Sequence, residues 1–111
     1  MKHAETIAVE VAAVEQVTPL IKRFTLAPVA GGTLPAFSGG SHIVVVMRGA
    51  NRVHRNPYSL MGPPSRLEAY EISVRRMEES RGGSHFMHDG VRVGSQLEIA
   101  NPVNLFGLDK I

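Results

Sequence analysis

The sequence contains no cysteine among its 111 residues. It can therefore hold neither a disulfide nor a thiolate-ligated iron–sulfur cluster, and any redox chemistry it carries out requires an organic cofactor. Aromatic residues amount to only 5%, too few for the base-stacking surface of an oligonucleotide-binding barrel. The net charge of +2 is equally weak, and Lys and Arg are spread along the chain, so nucleic acid is not an expected partner. The densest basic cluster, Arg48, Arg52 and Arg55, suits one small anion or an acidic protein surface. Long hydrophobic runs are missing too: the longest spans Ile43 to Met47, far short of the roughly 20 residues that cross a bilayer. The start, Met1-Lys2-His3-Ala4-Glu5, lacks the apolar stretch of a secretory signal, so a cytoplasmic location with no membrane partner is the default expectation.

What is present is the composition of one soluble globular domain, 43% hydrophobic and 20% charged, long enough for a single core. Neither an internal repeat nor a low-complexity segment interrupts a succession of short alternating stretches. Ile7, Val9, Val11 and Ala13 alternate with Ala8, Glu10 and Ala12, and a second set runs from Leu20 to Leu26, joined to the first at Thr18-Pro19. This spacing predicts two antiparallel strands. The β-branched run from Ile43 to Val46 reads as a third, well-buried strand. A fourth extends from about Arg52 to Leu60 and is interrupted by Pro57, which cannot donate to a ladder and so implies a bulge or a sheet edge. Tyr70, Ile72 and Val74 mark a fifth strand and Gln96 to Ile99 a sixth. Ser84 to Asp89, closed by Gly90, is the one convincing helical stretch. Six short strands and one helix, with no alternating βα rhythm, predict an all-β fold, a six-stranded antiparallel Greek-key barrel. A barrel this small is filled by its own side chains, so a large ligand must sit outside it against strand ends and loops.

The chemistry-bearing segments fit such a ligand. The glycine pair of Arg81-Gly82-Gly83-Ser84 leaves backbone N–H groups unobstructed, and a helix starting at Ser84 aims its positive dipole end at a bound anion. Tyr58 can flank a planar ring with its π face while Ser59 offers a hydroxyl and a backbone donor to the ring's polar edge. Each feature has a plainer reading: a glycine doublet is usually a turn, and a Tyr-Ser pair in a strand is usually packing. His85, His88 and Asp89 share a helix face, yet a metal site needs three or four convergent ligands, and a solvated helix end is the expectation. His42 and His54 read as core or surface residues. Ser59 lacks the Gly-x-Ser-x-Gly setting and the paired base of a hydrolase nucleophile.

Together, Tyr58-Ser59-Leu60, Tyr70-Glu71-Ile72-Ser73-Val74-Arg75-Arg76, Ser80-Arg81-Gly82-Gly83-Ser84 and Asn101-Pro102-Val103-Asn104-Leu105-Phe106 resemble, in order and spacing, the flavin domain of phthalate dioxygenase reductase-like proteins. These belong to the wider ferredoxin–NADP reductase superfamily. The resemblance covers essentially the whole chain. It implies a domain, residues 1–111, that binds FMN and is followed in the family by a nicotinamide-binding domain and a plant-type ferredoxin domain. The intact proteins pass electrons from NAD(P)H to a Rieske-type oxygenase component. Position by position, the resemblance places Tyr58, Ser59 and Leu60 at the flavin ring and the backbone of Ser73, Val74 and Arg75 along its pyrimidine edge. Gly82, Gly83 and Ser84 fall at the phosphate. FMN is implied over FAD because the family pattern ends at one phosphate, and the sequence, which has no Trp, offers no adenine platform.

The family's Arg-x-Tyr-Ser is here Arg55-Asn56-Pro57-Tyr58-Ser59, one residue longer. Strand periodicity then turns Arg55 away from Tyr58 unless Pro57 marks a bulge that restores its direction; a bulge, with Arg55 as a phosphate ligand, is the expectation. The chain stops where the nicotinamide domain of the family would begin. It reads as a fragment of a longer reductase or a free-standing flavin-domain remnant, poorly able to turn over NAD(P)H alone. The alternative function is a flavin-free barrel acting as an interaction or dimerisation module.

Overall fold

The computed structural model describes residues 6–37, 41–48, 53–62, 67–76, 83–100 and 103–104. The strands are β1 (Thr6–Thr18), β2 (Ile21–Pro28), β3 (Ser41–Arg48), β4 (Val53–Ser59), β5 (Tyr70–Arg75), β6 (Gln96–Ala100) and β7 (Val103–Asn104), with the helix α1 (Gly83–Gly90) between β5 and β6. The expected strands are all present in an antiparallel all-β fold. The two-residue β7, which pairs with the start of β3, carries no alternation long enough to be read in sequence.

One sheet runs in the order β4-β3-β6-β1-β2-β5. Alternate residues of its strands point to a common interior, where Val9, Phe24, Val45, Ile72 and Ile99 are all fully buried. Period-two patterning thus places one apolar stripe per strand on the concave face. The helix covers one end of this interior with Met87, also fully buried, and packs against β5, β3 and β4. Beyond the register shift between Val11 and Ala13, β1 leaves the core and continues with β2 as a mostly exposed hairpin arm. It turns at Pro19-Leu20, where the Leu20 amide donates to the Thr18 hydroxyl at 3.2 Å.

The sheet does not close along its length. Its edge strands, β4 and β5, meet at a single bridge, in which the Met61 amide donates to the Glu71 carbonyl at 2.9 Å. Barrel is thus a loose description of a curled sheet with a seam. The seam lies beside the position where a bulge was expected, and the bulge is absent. The β3–β4 ladder pairs Val46 with Arg55, Val44 with Pro57 and His42 with Ser59 without a shift. The other option for Pro57, an edge strand, is the one realised. Because the Leu60 amide bonds to Ser41 of β3, strict alternation turns the backbone of Ser59, Pro57 and Arg55 away from β3 and toward the seam. Pro57 therefore costs the sheet no ladder bond.

Candidate functional site

The seam carries the residues singled out in sequence. On the β5 side, the Arg76 amide bonds to the carbonyl of Leu20, just before β2, so by the same alternation the N–H and C=O groups of Ser73 and Arg75 point away from β2 and into the seam. On the β4 side, Ser59 presents its backbone there. Among the described residues no strand pairs along this gap beyond the Met61–Glu71 bridge. An open strand edge is a row of fixed donors and acceptors, the complement of a planar heterocycle with alternating N–H and C=O groups. A flavin pyrimidine edge fits it.

Neither Leu60 nor Val74 presents groups to the seam: their side chains are buried in the core, and by the same alternation their backbone groups face β3 and β2. Ser59 and Tyr58 project from opposite faces of β4: Ser59 is exposed, whereas Tyr58 is half-buried and packs against the core margin. Burial pushes the Tyr58 hydroxyl above the ordinary tyrosine pKa, opposed by a hydrogen bond from Asn56, and the ring is neutral at physiological pH. The Ser59 hydroxyl lies 3.2 Å from Nε2 of His42, directly across the ladder, and Nδ1 of His42 is enclosed without a hydrogen-bond partner. The Ser73 hydroxyl donates to the Met61 sulfur at 3.0 Å, which places Met61 over the closed end of the seam.

The unbroken register leaves Arg55 exposed on the outer face of β4, together with Ser59 and opposite to Tyr58. The basic cluster seen in sequence is divided. Arg48 is engaged by Glu98 of β6 at 2.9 Å, and Arg52 lies outside the described residues.

At the helix start, Gly82 falls outside the described residues, and α1 begins at Gly83 with Ser84 in its first turn. No acidic residue occupies that turn, so nothing in it opposes an anion at the positive end of the helix. Its other end departs from expectation. His88 is buried, not solvated, because its Nε2 bonds to the Val74 carbonyl at 2.7 Å. A carbonyl only accepts, so that nitrogen carries the hydrogen. No group of three His, Asp or Glu side chains able to hold a metal occurs among the described residues, and no described helix is long and apolar enough to cross a membrane.

A cavity of about 430 Å³ lies elsewhere, over β1, β3 and β6 between Ala8, Val46, Leu97 and the Arg48–Glu98 pair. Of the residues that sequence suggested for a flavin it includes none, and from the basic cluster only Arg48, which is paired with Glu98. Its existence does not compete with the seam, because a ring held by strand-edge backbone groups lies in an open groove and needs no enclosed volume.

No protein-family model matches the chain. It is 45% identical over 108 residues to the carnitine monooxygenase reductase subunit of Escherichia coli, a match that spans 97% of this chain and 34% of that protein. Among solved structures, phthalate dioxygenase reductase, described as a modular structure for electron transfer from pyridine nucleotides to a 2Fe–2S centre, superimposes with a TM-score of 0.84 at 30% identity. That match covers 95% of this chain and 32% of that one. The FAD/NAD binding domain of nitric oxide dioxygenase from Vibrio cholerae matches with a TM-score of 0.79 at 25% identity, over 87% of this chain and 43% of that one. The chain thus spans about a third of the length of the curated relatives it matches. With strand edge, helix start and these likenesses in agreement, the chain is homologous to one part of carnitine monooxygenase reductase and phthalate dioxygenase reductase-like proteins, and its fold is that of the flavin-binding domains of the ferredoxin–NADP reductase superfamily.

Proposed function

We propose that the chain is the flavin-binding electron-transfer module of an NAD(P)H-dependent reductase that serves a Rieske-type oxygenase, and that its cofactor is FMN. The observation that carries this reading is the unpaired seam between β4 and β5, into which the backbone groups of Ser59, Ser73 and Arg75 point; the helix that packs against both strands begins with no acidic residue in its first turn. A bound flavin supplies the conversion of a two-electron hydride donor into one-electron transfers. The protein's contribution is to hold and orient. Ser73 and Arg75 offer backbone partners to the pyrimidine edge, with Val74 between them fixing the strand through its buried side chain. Ser59 offers its amide and hydroxyl to the ring's central polar atoms, the hydroxyl oriented by His42. Tyr58 covers one side of the ring with a neutral aromatic surface. Gly82, Gly83 and Ser84 hold the phosphate; Arg55, expected beside it through a bulge that the ladder lacks, lies on the outer face of β4 with Ser59 and is given no part in holding it.

FMN is favoured over FAD because the described surface around the seam provides no second aromatic platform for an adenine. The nicotinamide and ferredoxin partners are proposed by analogy with phthalate dioxygenase reductase, described as passing electrons from pyridine nucleotides to a 2Fe–2S centre. The deciding experiment is a flavin titration of the purified chain. A yellow protein, or saturable fluorescence quenching with FMN, supports the reading. An FMN titration without saturation overturns it, leaving a flavin-free barrel used for protein interaction, and tighter FAD than FMN binding overturns the cofactor assignment alone.

A further inference from the structure

The end of α1 opposite the phosphate is clamped to the sheet at one point. Lys22 of β2 and Val74 of β5 are direct partners in the ladder, and both reach the same residue of the helix. The His88 Nε2 donates to the Val74 carbonyl at 2.7 Å, while the Lys22 Nζ donates to the His88 carbonyl at 2.7 Å. His88 is only 7% exposed. Next to it, Asp89 pairs with Arg76, which directly follows β5. Three contacts thus bind the last turn of the helix to the sheet, one each from β5, from its neighbour β2 and from the residue that follows β5, and the residues flanking Val74, Ser73 and Arg75, face the seam.

A helix is a stiff spacer. From Gly83 to His88 it rises by about 7.5 Å, and with its far end fixed on Val74 the position of its first turn relative to the seam is fixed as well. Ring seat and phosphate seat lie on different elements, and among the described residues the clamp and the buried Met87, together with packing of the helix on β3 and β4, set their separation. Met87 is an apolar contact and tolerates sliding. The hydrogen bond of a buried imidazole to one particular carbonyl does not.

We propose, resting on the flavin reading above, that His88 is a positioning residue that sets the distance between the phosphate seat and the ring edge. The preference for a phosphorylated flavin over an unphosphorylated one then depends on a side chain that touches neither. Loss of the clamp leaves the seam intact, because Ser59, Ser73 and Arg75 belong to the sheet, but lets the helix start drift from the place where a phosphate tethered to a seated ring arrives.

The test compares FMN and riboflavin affinities, by fluorescence quenching, for the unmodified chain, His88→Leu, His88→Gln and Lys22→Met. His88→Leu is expected to weaken FMN at least tenfold and riboflavin less than twofold. His88→Gln retains a donor toward the Val74 carbonyl and is expected to recover most of the FMN affinity. Lys22→Met removes only the second contact, on the partly exposed side of the clamp, and is expected to lower the FMN-to-riboflavin ratio about threefold with the fold intact. Amide hydrogen exchange on the same proteins is expected to show loss of protection in α1 but not in β5 for His88→Leu. Equal losses for both flavins, or an unchanged ratio in all three variants, would overturn the positioning role while leaving the flavin reading in place. Failure of the unmodified chain to bind either flavin would overturn both.

Discussion

The Asn56 side-chain amide donates to the Tyr58 hydroxyl oxygen at 3.3 Å, two residues along one face of β4 and across the back of Pro57. The position two before the tyrosine, where the family places an arginine, is therefore occupied by a neutral donor already committed to the tyrosine itself. Tyr58 is held by its hydroxyl, which leaves its ring as the part available to a ligand. Tyr58→Phe is expected to keep FMN affinity within about threefold, and Tyr58→Ser to lower it at least tenfold, about 1.4 kcal/mol. Fluorescence titration measures both, and equal effects from the two substitutions would assign the role to the hydroxyl and not to the ring.

The helix start offers the phosphate backbone donors that need close approach. Gly83→Val is expected to weaken FMN at least tenfold, about 1.4 kcal/mol, by placing a branched side chain where the anion seats. Riboflavin affinity is expected to be far below that of FMN in the unmodified chain and indifferent to this substitution. Identical dissociation constants for the two flavins would move the anion site off α1.

The proposed flavin module assigns no nicotinamide site to its described residues, and a donor that is not oriented over the ring forfeits several kcal/mol of catalysis through lost proximity. Reconstituted with FMN, the polypeptide is expected to be reduced readily by dithionite or light and only slowly, without saturation, by NADH. Fast saturable reduction in stopped-flow traces would reveal a donor site within the barrel.

Tyr70 gives a prediction for alkaline stability. Its hydroxyl donates to the Pro35 carbonyl and its ring meets Phe37 edge-on with centroids 5.5 Å apart, and burial pushes its pKa up to about 12. The unfolded chain ionises tyrosine near pH 10, so the folded state favours the neutral form. The resulting stabilisation is complete below about pH 10 and is lost as pH rises toward about 12. In urea unfolding, Tyr70→Phe is expected to be less stable at neutral pH yet to lose less stability above about pH 10. Tyr58, shifted in the same direction, is common to both proteins and cancels in the comparison. Parallel pH curves would contradict the assignment.

Much of this was readable from the chain. Alternation located β1, β2, β3, β5 and β6 because each buries one stripe of side chains, and the glycine at the end of α1 marked where the helix stops. Pro57 shows where local reading ends. A missing N–H is tolerated by a bulge or by an edge, and only the pairing of β4 with β3, fixed by Leu60 and Ser41, distinguishes the two. His88 shows the same limit in another form. A histidine on a short helix carries no sign of its partner when that partner is a backbone carbonyl on a strand fourteen residues earlier. Burial could have been suspected from its neighbour Met87, but the bond to Val74 could not. The hairpin arm of β1 was also longer than its apolar pattern, since beyond Val14, which still packs against the core, its residues are exposed and held by the ladder with β2.

An exposed edge strand is a hazard as well as a site. Its row of free donors can template a strand from another molecule, the route by which sheets polymerise. In β4 the residue in the middle of that row is Pro57, whose ring stands where the next strand would seek an N–H. A second copy meeting this edge finds its ladder broken at the centre, and so does β5 of the same molecule. The same residue that keeps the seam from zipping shut guards the chain against edge-to-edge aggregation before any ligand has arrived. Replacing it with a β-branched residue would give a sheet free to close on itself and free to join its neighbours.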